Sequence, residues 1–317
     1  MRSGRRSKNE PHELDATGRK RALDEGKYDP MIRSMLYVPA SSPRFIAKAH
    51  ERGADAIILD LEDSVAPNEK EKARAGLGDA VRSVSRHRAE VFVRINSTEE
   101  MRFADAEAAC RAGAFGLFVS KSSHPRVLEG LDKQLQKIET AINRSEKTMF
   151  VPMIEDPGAV LDARAIAAAT PRVFALIVGS EDLATAMGAE PTSEVLRLPK
   201  ILVHLAAKAA GALSLGLIFS QTHFQDLEGI ASAAREARSF GFDGATCVHP
   251  SAIPILNEIF SPSAEEIERA KRMVAVYEQS LAAGTGACVF DGKMIDVPMV
   301  TRARALLAKQ RRPGGSG

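Results

Sequence analysis

AIILDLEDS, residues 56–64, is an unbroken apolar run closed by acids. A strand of that length without polar alternation is buried on both faces, the pattern of a parallel sheet wrapped in helices. The same pattern recurs in VFVRIN (91–96), LFVSK (117–121), FVPMIED (150–156), FALIVGSED (174–182) and ATCVHP (245–250). Each run ends at a charged or chelating residue, which falls at the strand's C-terminal end. In a parallel α/β protein those ends share one face. Asp60, Glu62, Asp63, Arg94, Lys121, Glu155, Asp182 and His249 are therefore expected to converge. Packing requires no such concentration of charge, whereas a metal and an anionic substrate do.

Outward from these runs, strand-length and helix-length stretches alternate from Met31 onward. Strands are predicted at 34–38, 56–61, 91–95, 116–119, 149–154, 173–178, 213–219 and 244–248. Helices are predicted at 43–52, 69–86, 99–112, 125–143, 159–168, 194–210 and 226–240, the first opened by Ser42-Pro43. Strict alternation implies parallel pairing with right-handed crossovers. Eight such units make an α/β protein of the (β/α)8 TIM barrel type over residues 31–262. A doubly wound open sheet is the alternative. It lacks its Gly-rich phosphate turn here, because the first strand runs into YVPASSPR (37–44).

Beyond the eighth unit, Ser263 and Glu266 form a capping-box pattern that opens a helix over 264–283. A Gly-rich turn, the segment ACVFDGKMIDVP (287–298) and a last helix near 298–309 follow. This C-terminal helical lid extension, 263–309, is too short by this reading to build its own core. It is expected to pack on the barrel or on a neighbouring subunit, which makes a homo-oligomer. Residues 1–30, polar and of mixed charge, read as a disordered extension, and 310–317 as a disordered tail.

The 317 residues are 44% hydrophobic and 26% charged with a net charge of +2, a balance that gives no electrostatic case for nucleic acid. Tryptophan is absent and only three tyrosines occur, so base stacking is not expected. No apolar run approaches the ~20 residues of a membrane span. The first thirty residues lack the apolar core of a secretory signal, and their acids argue against a transit peptide. Cys110, Cys247 and Cys288 are widely spaced and read as reduced thiols of a cytoplasmic protein.

Glu155 and Asp182 are the strongest candidate pair. Each is read as ending a buried strand, and the two strands are neighbours in the predicted barrel. Two carboxylates one strand apart make a hard-oxygen site that suits Mg²⁺. The competing reading is that each caps the following helix, although Asp156 and Glu181 are placed to take that role. Asp60 and Glu62 share one side of an extended chain and are suited to hold metal-bound waters or to orient basic side chains. Asp63 fits a helix cap as well. Arg94, with Asn96 beyond it, offers a fork of donors for a substrate carboxylate or thioester oxygen, or else pairs with Glu62. Lys121 serves either the same face or the surface. His249 reads as a supporting or packing residue more than as a ligand. Cys247, two residues earlier, makes with it neither a zinc site nor a needed nucleophile pair.

These segments resemble a known family. RSMLYVPASSPRFIAKAHERGADAIILDLEDSVAPNEKEKAR (33–74), VRIN, PMIEDPGAV, VGSEDLA, GFDGATCVHPSAI and FSPSAEEIERA are similar, in order, to the citrate lyase beta-subunit-like branch of the HpcH/HpaI aldolase superfamily. The malyl-CoA and citramalyl-CoA lyases belong to this branch. The resemblance implies a Mg²⁺-binding (β/α)8 barrel, trimeric or hexameric. It implies cleavage or formation of a C–C bond between a 2-oxo acid and an acyl-CoA. It also implies metal ligation by Glu155 and Asp182, with Glu155 facing the substrate, and substrate binding by Arg94. Asp60, Glu62 and Asp63 would line the site, and Asp296 of GKMIDVP would act in proton transfer from a neighbouring subunit. The chain departs from the usual pattern at Pro39-Ala40, Ala212–Leu215 and Gly244-Ala245, none of which touches the carboxylate pair. Three other activities share these residues: hydrolysis of the same thioester, cleavage of a free hydroxy acid, and service as a citrate lyase beta subunit with an acyl-carrier partner.

Overall fold

The computed structural model describes residues 31–87, 89–218 and 225–310. The expectations for residues 1–30 and 311–317 lie outside it. The eight barrel strands are β1 (Ser34–Pro39), β2 (Ala56–Asp60), β3 (Glu90–Ile95), β4 (Gly116–Val119), β5 (Met149–Ile154), β6 (Ala175–Val178), β7 (Leu213–Leu215) and β8 (Ala245–Cys247). Around them run α1 (Pro43–Ala49), α2 (Lys70–Ala75), α3 (Leu77–Val84), α4 (Glu99–Arg111), α5 (Pro125–Ala141), α6 (Pro157–Leu161) and α7 (Ala163–Ala167). The series continues with α8 (Ser180–Met187), α9 (Ser193–Ala209), α10 (Leu227–Phe240) and α11 (Ile253–Phe260).

The strands lie in the order β7-β6-β5-β4-β3-β2-β1-β8, all parallel. That sequential order excludes the doubly wound alternative, in which the order reverses at a switch point. The ring closes between β7 and β8 through a thin seam. There a single bridge joins Leu215 to Gly244, Gly216 N donates to the Gly244 carbonyl, and Asp243 N donates to that of Ser214. Gly244 is required at the seam, because a Cβ there would stand 2.0 Å from the Ile32 carbonyl oxygen.

Side chains alternate across the strands, so β1 to β6 each feed two cores. Met35, Ile58, Phe92, Phe118, Val151 and Ile177 point into the lumen. Leu36, Ile57, Leu59, Val93, Leu117 and Leu176 pack outward under the helices. The barrel is thus filled by side chains and is not a pore.

Several boundaries differ from the sequence reading. The stretch 69–86 breaks at Gly76 into α2 and α3, after a 3-10 turn over Pro67–Glu69. The stretch 159–168 forms two short helices, α6 and α7, joined at Asp162. β7 stops at Leu215 because Gly216, at φ 130°, leaves the ladder; position 219 of that predicted strand lies outside the described residues.

The C-terminal segment corrects a larger expectation. Helix α12 (Ala264–Ala282), the antiparallel hairpin β9 (Cys288–Phe290) and β10 (Lys293–Ile295), and α13 (Val297–Gln310) enclose a core of their own. It is formed by Ala270, Met273, Tyr277, Phe290, Ile295, Val300 and Ala303. The segment was expected to be too short for this. The hairpin makes the difference, because it folds Phe290 and Ile295 back onto two helices that already face each other. The Ser263–Glu266 capping box is present as expected. Arg238–Glu266 and Lys309–Asp243 ion pairs link the segment to the barrel.

Candidate active site

The strand alternation that fills the lumen also builds the site. Ala56 and Ile58 point inward on β2, and Asp60 is the next residue in that phase. Phe92 points inward on β3, so Arg94 does as well. Phe118 leads to Ser120, and Val151 and Met153 lead to Glu155. Period two therefore lifts a polar layer onto the apolar plug at the C-terminal mouth.

Asp60 and Arg94 are register partners on β2 and β3. Arg94 Nε and Nη2 each donate to Asp60 at 2.7 Å, a two-pronged pair. Arg94 Nη1 lies 3.2 Å from both Glu62 and Asp63. Its guanidinium also sits 5.2 Å from the centre of the Tyr37 ring. Burial acts to raise the Asp60 carboxyl, but Arg94 and the backbone amide of Glu62 hold it below the ordinary range. Burial acts to lower the Arg94 guanidinium, but Asp60 keeps it firmly charged. Glu62, which accepts from Ser120 Oγ at 2.7 Å, is pushed up by burial. The pairing of Arg94 with Glu62 that the sequence offered is present at 3.2 Å, but Asp60, which takes two donors, is the stronger partner.

Glu155 is 5% exposed. Its Oε2 accepts from the backbone N–H of Lys121 at 2.6 Å, and Lys121 presents that N–H from a left-handed conformation at φ 49°. Burial, with the neighbouring charges of Glu62 and Asp182, pushes Glu155 up to about 8. Gly179 closes the other side: a Cβ there would stand 2.5 Å from Glu155 Oε1. Asp182 is not at a strand end, as the sequence implied, but in the first turn of α8, where the helix dipole favours an acid. Asp156, as expected, caps α6 by accepting from Ala159 N at 2.9 Å.

These groups line an open cavity of about 610 Å³. Asp60, Asp63, Arg94, Glu155 and Asp182 all border it, and Glu62 stands just behind through its contact with Arg94. Asp296 does not border it in the same chain; it is exposed, between the hairpin and α13. Lys121 contributes its backbone, with its side chain exposed. His249 is exposed, caps a short 3-10 turn and pairs with Ser251. Cys247 is buried and its thiol is pushed up to about 12, which removes it as a nucleophile.

Three contributors were missed in the sequence. Tyr37, inward on β1, forms a wall of the cavity. Lys70 donates to the Glu62 carbonyl at 2.9 Å and to Asn96, whose amide holds the Leu61 carbonyl at 3.0 Å; together they shape the acidic loop. Lys200 enters the cavity wall from α9. Its helical phase relative to Leu196 and Val203 was the available signal. Among the described residues, no three His, Cys, Asp or Glu side chains are grouped to enclose an ion by themselves. Glu155 and Asp182, two carboxylates that border the same open space, are the groups that could hold one.

The sequence matches the HpcH/HpaI aldolase/citrate lyase family over residues 33–250, and the chain belongs to that family. It is 35% identical to a (3S)-malyl-CoA thioesterase of Cereibacter sphaeroides strain ATCC 17029, over 88% of this chain and 94% of the relative. It is 30% identical to the citrate lyase subunit beta of Escherichia coli K12, over 89% and 94% respectively. Among solved structures it resembles the CitE protein of Mycobacterium tuberculosis in complex with magnesium, acetoacetate and coenzyme A. That match has a TM-score of 0.69 at 28% identity, covering 87% of this chain and 97% of the other.

Proposed function

We propose that the chain is a Mg²⁺-dependent carbon–carbon lyase. It splits a 3-hydroxyacyl-CoA such as malyl-CoA or citramalyl-CoA into a 2-oxo acid and an acyl-CoA, or joins the two. The observation that carries this reading is the placement of Glu155 and Asp182 on the same open cavity as Arg94. The two carboxylates fit a hard divalent ion. Glu155 is buried against like charges that a cation would relieve, and Gly179 spares its Oε1 the clash that a side chain would bring. When bound, Mg²⁺ supplies Lewis-acid polarisation of the substrate's carboxylate and adjacent oxygen.

The rest is the work of the chain's own residues. Arg94, oriented by Asp60, offers Nη1 to a developing oxyanion. Asp63 is exposed, so its contact with Nη1 is the one a substrate oxygen displaces at least cost. Glu62 and Ser120 keep the guanidinium plane in place. Asp296, brought from a neighbouring subunit, moves the proton at the carbon released by bond cleavage. The protein accordingly works as a cytoplasmic homo-oligomer, a trimer or hexamer, with the segment 263–309 as its lid.

A thioesterase outcome is the second reading, favoured by the 35% identical relative of that name. Malyl-CoA incubated with the protein and Mg²⁺ separates the two. Glyoxylate with acetyl-CoA marks the lyase, and malate with free CoA marks the hydrolase. Glu155→Gln and Asp182→Asn are each expected to abolish turnover while keeping the thermal midpoint. Undiminished Mg²⁺-dependent turnover in both variants would overturn the site.

A further inference from the structure

Helix α9 has its faces reversed at one position. Leu196, Lys200, Val203 and Ala207 form its buried stripe, whereas Leu198, Leu202 and Leu205 face outward. Lys200 is 4% exposed, at a place where packing alone would favour an apolar side chain. Replacing a buried charge by an apolar residue of similar volume is commonly neutral or stabilising, so stability does not account for the lysine.

Its surroundings offer a better reason. Helical side chains lean toward the helix N-terminus, and α9 begins at the strand-end face, so Lys200 reaches back up to that face. There it borders the cavity together with Glu181, Asp182, Gly216 and Leu217. Its Nζ donates to the Leu217 carbonyl at 2.7 Å, at a point where the chain has already left β7. The Glu181 carboxylate acts on it from the first turn of α8, the turn that also carries Asp182. One side chain thus bonds the exit of β7 and lies in the field of a carboxylate at the exit of β6.

We propose that Lys200 is a positioning residue that ties the turn after β7 to the first turn of α8 and thereby sets the Asp182 carboxylate for metal binding. The inference rests on the metal reading of Glu155 and Asp182. It also makes a prediction whose sign is opposite to that of simple electrostatics. Removing the amine should tighten cation binding where it is protonated and leave it unchanged where it is neutral, whereas losing a positioning contact should weaken it.

The test is Mn²⁺ binding to the purified full-length protein, read as free Mn²⁺ by electron paramagnetic resonance without substrate. Wild type should bind, and Glu155→Gln and Asp182→Asn should not. If wild type does not bind, the metal reading falls and this inference falls with it. Given that binding, Lys200→Met, of similar length and uncharged, is expected to fold and to bind Mn²⁺ at least about tenfold more weakly. Lys200→Gln, too short to reach the Leu217 carbonyl, should do the same. Unchanged or tighter binding in a folded variant would overturn the proposal. So would failure of both variants to fold, which would make Lys200 a residue of the core and not of the site.

Discussion

Arg94 is held by acids on three sides, and that setting determines what a conservative replacement does. A lysine keeps the charge but cannot bridge both Asp60 oxygens while offering a third nitrogen to the cavity. Arg94→Lys is expected to lower kcat/KM by about 100-fold, as loss of an oxyanion donor does. Near-wild-type kinetics would show that Arg94 merely balances Asp60. Lys200 yields a prediction in pH. Burial pushes its amine from the ordinary 10.5 down to about 7, with Glu181 acting to raise it. Between those values the unfolded chain binds a proton that the folded chain does not. Wild-type stability should therefore fall as pH drops from about 10.5 to 7 and then level off, at up to about 1.4 kcal/mol per unit. Lys200→Met should lack this slope. Urea midpoints of the two proteins across that range give the difference, and parallel curves would contradict the burial of a neutral amine.

At the level of elements, the junction of β6 with α8 concentrates the constraint. Gly179 has φ −78° and ψ 100°, a conformation open to alanine, so the cost of a methyl group there is steric and not conformational. Gly179→Ala pushes against Glu155, and we expect at least a tenfold loss of kcat/KM with a thermal midpoint changed by only a few degrees. Unaltered kinetics would mean that Glu155 has room to move. This junction also shows the limit of what the sequence revealed. The strands were legible because residues such as Ile57 and Ile58 must be apolar on both faces, and the inward phase of Asp60, Arg94 and Glu155 followed from them. Asp182 was attached to the preceding run because Ser180-Glu181-Asp182 carries no apolar periodicity of its own, so one helical turn read as a strand end. Lys200 escaped because a charge in an amphipathic helix reads as solvent-facing. The β9–β10 hairpin escaped because its strands are three residues each, too short for alternation to register.

At the scale of the molecule, the C-terminal segment has its own core and keeps Asp296 on its surface. If that aspartate serves a neighbour's cavity, inactive Asp296→Asn and Glu155→Gln chains should complement each other when mixed. In a cyclic trimer roughly a quarter of the sites regain both groups, since each draws one from either chain. No recovery after demonstrated subunit exchange would place Asp296 in its own chain's site or outside the chemistry. The seam between β7 and β8 has a different consequence. A closed ring of strands loses its cooperativity where its lateral bonding is sparsest, and here two three-residue strands meet through one bridge. Amide deuteration should therefore enter the barrel at Gly216 and Asp243 well before it reaches Ile58 or Val93. The ring would open like a clasp beside the β7 exit that Lys200 bonds, leaving the β2–β3 wall that carries Asp60 and Arg94 the last part to let go.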